Sequence, residues 1–73
     1  MPEQPVEITK LVAVATSMDY PANLRMEAVD TIGRMGTHEA LLALLQIAGN
    51  QDLMRHEREQ ALKYATKIVK SSR

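Results

Sequence analysis

Two His-Glu pairs, His38-Glu39 and His56-Glu57, are the residues best placed by type to do chemistry. A histidine beside a carboxylate can move a proton, and two histidines four apart on a helix can hold zinc. Neither pair extends to His-Glu-x-x-His, and no Glu-x-x-His occurs. The chain has no cysteine, which removes thiolate metal sites, disulfides and cysteine nucleophiles. Gly33 and Gly36 bracket a helix end rather than forming a phosphate-cradling loop. No Ser or Thr stands at a suggestive spacing from a His and an acid, so both histidines read as surface residues. A chain of 73 residues buries only about 60% of the surface its unfolded form exposes, leaving little room to enclose a pocket. The expectation is a non-enzyme, with no catalytic residue, no cofactor and no metal site.

The elements that position these residues are all helical. No stretch alternates with period two, and every periodic stretch fits 3.6. Pro2 and Pro5 mark a lead-in. A first helix is predicted from about Val6 to Met18, with the stripe Ile8, Leu11, Val12, Ala15 and Met18. Asp19-Tyr20-Pro21 breaks it, and Pro21 suits the first position of a second helix running to about Met35. The second stripe is Leu24, Ala28, Val29, Ile32 and Met35, and Gly36 is the stop. Thr37 is the N-cap of a third helix that runs to about Ala48 and ends at Gly49-Asn50. A fourth begins near Gln51 or Asp52 and runs to about Lys70, with the stripe Ala61, Leu62, Ala65, Ile68 and Val69. The tail Lys70-Ser71-Ser72-Arg73 reads as a frayed end. Short connections make the four helices antiparallel neighbours within a single domain, residues 1–73.

The helices repeat at a constant shift of 33. Leu11 falls on Leu44, Ala15 on Ala48, Asp19 on Asp52, Arg25 on Arg58 and Ala28 on Ala61. Similar pairs fill the frame: Ile8 with Leu41, Val12 with Leu45, Val14 with Ile47, Val29 with Leu62, Met35 with Ile68. Two unrelated amphipathic hairpins would match in hydrophobicity, but not in Asp and Arg without a gap. The reading is two helix–turn–helix units, repeat 1 over about residues 6–36 and repeat 2 over about 37–70.

The run Leu24-Arg25-Met26-Glu27-Ala28-Val29-Asp30-Thr31-Ile32-Gly33-Arg34-Met35-Gly36, followed by Glu39-Ala40-Leu41 and Ala43-Leu44-Leu45, resembles the short HEAT-like repeats of phycobilin lyases and related bacterial proteins. The likeness covers most of residues 8 to 69. In repeat 2, Glu57 stands where the pattern has an apolar residue, and Ala65-Thr66 replaces Ile-Gly. The resemblance implies an α-solenoid fold in which Asp19, Arg25, Asp52 and Arg58 are structural, hydrogen-bonding across neighbouring repeats. It also implies binding through the concave face lined by second helices.

Two surfaces stand out as partner-binding candidates. Residues 40 to 48 are apolar almost all round, and Leu42 falls about 120° off the shared stripe, with Ala43 beside it. It is either one unremarkable exposed Leu or a sticky solenoid end. The second-helix face carries Met26, Asp30 and Arg34, which align in the frame with Glu59, Lys63 and Lys67. This face is either a solvated polar surface, with Asp30 and Lys63 as an ion pair, or a contact surface centred on Met26.

Lys plus Arg and Asp plus Glu both number 9. The balance is uneven: residues 1–54 carry three bases and seven acids, a net of −4, and residues 55–73 carry six and two, a net of +4. Zero net charge argues against a dedicated nucleic-acid binder. No apolar run reaches the roughly 18 to 20 residues of a membrane span, and the N-terminus has no basic, apolar leader pattern. The expectation is a cytoplasmic protein-interaction module or small adaptor. The alternatives are a homodimeric structural protein or a weak nucleic-acid-binding accessory using the basic fourth helix.

Overall fold

The computed structural model describes residues 6–71. The lead-in prolines, Pro2 and Pro5, and the tail residues Ser72 and Arg73 lie outside the described residues. The chain is all-α. The helices are α1 (Val6–Ala15), α2 (Ala22–Met35), α3 (His38–Ala48) and α4 (Arg55–Ser71). Among the described residues there is no strand.

The caps explain most boundaries. Thr37 is the N-cap of α3, and its hydroxyl accepts from the Ala40 amide at 3.0 Å. Gly36 ends α2 in the left-handed conformation, φ 66°, which a side chain would strain. Pro21 is the N-cap of α2 rather than its first helical residue, and its carbonyl accepts from Leu24 and Arg25. α1 stops at Ala15, short of Met18. The Ser17 amide turns back to Val14, and the Ser17 hydroxyl takes the Asp19 amide. α4 starts at Arg55, later than Gln51 or Asp52. Asn50 accepts from the Asp52 amide through its side chain and from the Leu53 amide through its carbonyl, which bends the chain there. α4 runs through Ser71, so Lys70 and Ser71 belong to the helix rather than to the tail.

These two turns are the same turn. The bonds Thr16 to Val12, Ser17 to Val14, Tyr20 to Ser17, Leu24 to Pro21 and Arg25 to Pro21 recur as Gly49 to Leu45, Asn50 to Ile47, Leu53 to Asn50, Glu57 to Met54 and Arg58 to Met54. Each pair is offset by 33. So are the end of α1 at Ala15 and of α3 at Ala48, and the starts of α2 at Ala22 and of α4 at Arg55.

α1 packs on α2 and α3, α2 meets all three other helices, and α3 lies most extensively on α4, whereas α1 and α4 do not meet. The core is Ile8, Val29, Ile32, Leu44, Ile47 and Ile68, with Leu53 folded in from the second turn. Six alanines, at positions 15, 28, 40, 43, 61 and 65, are also buried and let the helices approach closely.

The buried faces are turned from those the apolar stripes predict. α2 buries Arg25, Ala28, Val29 and Ile32, whereas Leu24 and Met35 are exposed. Arg25 sits in the middle of the buried face, so α2 is rotated toward it. α3 buries Ala40, Ala43, Leu44 and Ile47; Leu45 is exposed and Leu41 and Ala48 are half-buried. α4 buries Glu57, Ala61, Ala65 and Ile68, leaving Leu62 and Val69 exposed. Met18 is exposed on the first turn.

Gly33 faces Tyr64, where α2 meets α4. A Cβ at Gly33 would run into the Tyr64 ring, including its first carbon, which cannot swing aside as a side-chain tip can. Replacing Gly by Ala in an exposed helix gains about 1 kcal/mol, and overpacking costs about 1–3 kcal/mol. Gly33→Ala is therefore expected to lower stability by up to about 2 kcal/mol in urea melts. The same substitution in a Tyr64→Ala background should be neutral or stabilising.

Candidate interaction surfaces

The strongest polar contact joins the two halves of the chain. Arg25 on α2 donates through Nη2 to Glu57 Oε2 at 2.9 Å and through Nε to Glu57 Oε1 at 3.3 Å. Its Nη1 donates to the Tyr20 carbonyl at 2.6 Å. The side chains are 6% and 1% exposed. A two-pronged guanidinium–carboxylate contact fixes orientation as well as distance. Glu57 is the residue that departs from the apolar pattern in the second half, and Arg25 is the reason.

Arg25 thus ties α2 to α4 and to the turn before α2. Asp19 and Asp52 do not cap a helix start; both are exposed, and the acceptors in the turns are Ser17 and Asn50, two residues earlier. Arg58, thirty-three residues after Arg25, is half-buried, and its Nε is covered with no acceptor among the described residues.

On the second-helix face, Asp30 does not pair with Lys63. It takes Arg34 one turn along its own helix at 2.7 Å and accepts the Tyr64 hydroxyl across the α2–α4 contact. That hydrogen bond, then burial, then the Asp30 charge hold the Tyr64 phenol above its ordinary value. Lys67 lies over the Tyr64 ring, 5.8 Å from its centre. Glu59 pairs with Arg55, 3.0 Å away on α4. Met26 is half-buried rather than open at the centre of this face, because the turn of α2 toward Arg25 brings it under cover. Tyr64 was not singled out by spacing. The available signal was its rarity, one of two aromatics in the chain, in the same helix as Lys63 and Lys67.

Leu42 is exposed, as the wheel predicts, but Ala43 is buried against the core. The larger apolar surface lies elsewhere. Leu41, Leu45, Leu62, Ala65 and Val69 line an open groove between α3 and α4. A second groove, on α1 and α2, is lined by Leu11, Val14, Tyr20, Leu24 and Ala28, with Glu27 and Arg34 at its margin.

His38 and His56 are exposed, and Glu57 is occupied by Arg25. Among the described residues no three His, Asp or Glu side chains converge to hold a metal ion. Among the described residues no helix is long and apolar enough to cross a membrane. Comparison of the chain with protein families, curated proteins and solved structures finds no match.

Breaking a buried ion pair on one side costs about 3–5 kcal/mol, whereas replacing both partners with apolar groups is often neutral. Glu57→Ala is therefore expected to lose about 3–5 kcal/mol by urea unfolding, a large part of the total for a domain this size. The double variant Arg25→Met, Glu57→Leu should recover most of it. Tyr64 binds its proton more tightly folded than unfolded. Its bond to Asp30 therefore contributes fully below about pH 10 and is lost as pH rises through the raised folded value. The thermal midpoint of the native chain should exceed that of Tyr64→Phe by a constant amount up to about pH 10, and the gap should close above it.

Proposed function

We propose that the chain is a protein-interaction module made of two HEAT-like helical hairpins, α1 with α2 and α3 with α4, each antiparallel. It acts by presenting a preformed helical surface and carries no catalytic site. The recurrence at a shift of 33 of the helix ends that flank the α1–α2 and α3–α4 turns, and of those turns' backbone hydrogen bonds, supports the hairpin pair. The functional reading rests on one observation: Leu45 and Leu62 stand open side by side in the α3–α4 groove, with Leu42 exposed further round α3. Scattered exposed leucines need no explanation, whereas a joined apolar surface on a small domain marks a contact site. The polar face of α2 and α4 is the weaker candidate. Asp30, Arg34, Glu59 and Lys67 all have contacts within the chain, which leaves Lys63 as its unengaged charge among the described residues. A cytoplasmic adaptor is the setting this surface suits.

The double variant Leu45→Asp, Leu62→Asp tests the reading. Both positions are about half exposed, so the variant is expected to lose about 2 kcal/mol of stability and to keep its helicity, which far-UV circular dichroism checks. Native isolation followed by intact-complex mass should show a stoichiometric protein partner with the native chain and none with the variant. A native chain that isolates alone, as a monomer, would sink the proposal.

A further inference from the structure

We infer that the α3–α4 groove seats a helix pair of another protein, one that presents a glutamate among small apolar side chains, with Arg58 as the anchor. This rests on the interaction-module reading above and names the partner's chemistry.

The molecule contains the filled version of this seat. A shift of 33 carries Arg25 onto Arg58, Ile8 onto Leu41, Val12 onto Leu45 and Val29 onto Leu62. In the first unit the seat is occupied by α3 and α4: Ile8 is 0% exposed, Val29 1%, Val12 is half-buried, and Arg25 holds Glu57. In the second unit Leu45 is 46% exposed, Leu62 is 52% exposed, and the covered Nε of Arg58 has no acceptor among the described residues. A covered guanidinium donor calls for a carboxylate; Arg58 lines a hollow with Ala48, Arg55, Glu59 and Leu62, which adjoins the apolar α3–α4 groove at Leu62.

The template also states what the occupant looks like. The two helices that fill the first seat bury Glu57 with the small residues Ala40, Ala43, Ala61 and Ala65, beside the larger Leu44, Ile47 and Ile68. A second copy of this chain stacked end-on would offer its α1–α2 face instead. There the equivalent positions hold Leu24 for Glu57, Glu7 for Ala40 and Lys10 for Ala43, with only Ala28 matching Ala61. Two long charged side chains would meet the groove where two methyl groups fit, and Arg58 would meet a leucine. Such mismatches guard against head-to-tail chaining. The occupant is therefore not a second copy of this chain.

A fused helix pair serves as the probe: residues 1–68 followed directly by residues 36–73. The fusion places the second copy of Glu57 at the same distance along the chain from Arg58 as Glu57 is from Arg25. The extended chain is expected to unfold in one transition, with helicity raised in proportion to its length and a midpoint higher by about 5 °C or more. Arg58→Met should remove most of that gain and leave the midpoint of the unextended chain unchanged. A fusion with no gain, or one in which Arg58→Met acts equally on both chains, overturns the inference. So does sedimentation of the unextended chain as a dimer that Leu62→Asp dissociates, since that puts a second copy in the groove. These failures are separable from failure of the interaction reading. A native partner that survives Leu62→Asp would keep the module and place its contact elsewhere, whereas absence of any native partner removes the module itself.

Discussion

The buried pair between Arg25 and Glu57 is the constraint on which the arrangement of the helices depends. Taking two charges out of water is expensive, and only close, two-pronged geometry offsets the cost. Once formed, the pair tolerates little movement of α4 against α2. It also ties in the first turn, because the third arm of Arg25 holds the Tyr20 carbonyl. The rotation of α2 follows. With a guanidinium in the middle of its buried face, Leu24 and Met35 turn outward and Met26 turns partly inward. An all-apolar joint has no such directional contact to set how α4 sits on α2.

Around that joint the packing relies on small residues. Buried alanines on all four helices let backbones come close, and Gly33 carries this furthest by letting the Tyr64 ring lie directly on α2. Tyr64 in turn reaches Asp30 with its hydroxyl, so one aromatic side chain both packs and hydrogen-bonds at the α2–α4 contact. The face that sequence reasoning marked as a contact surface is thereby largely spoken for. Its charges hold the helices to one another, and the open apolar area falls on α3 and α4.

Helix number, the positions of Thr37 and Gly36, and the thirty-three-residue frame were legible because each has a local cause: a cap, a left-handed turn, a recurring pattern. Which side of each helix is buried was less so. A stripe drawn through the largest apolar residues assumes that core residues are large and apolar. Here α3 buries Ala40 and Ala43 while exposing Leu42 and Leu45, and α4 buries a glutamate while exposing Leu62. The departure at Glu57 was visible as an oddity, but its meaning required knowing that Arg25 lies opposite. Asp30 and Lys63 aligned in the frame, yet a shift of 33 relates equivalent positions and does not by itself place two side chains in contact. Asp30 had nearer partners in Arg34 and Tyr64.

The helices are unequal in how firmly they are held. α1 contributes two buried side chains, Ile8 and Ala15, whereas α2, α3 and α4 each contribute four. α1 also makes no contact with α4, so its release would leave the Arg25–Glu57 joint and the α3–α4 interface intact. Backbone opening, the quantity that amide hydrogen exchange reads, therefore begins at α1 and needs far less than global unfolding. The residue it uncovers most completely is Ile8, the helix's largest buried side chain.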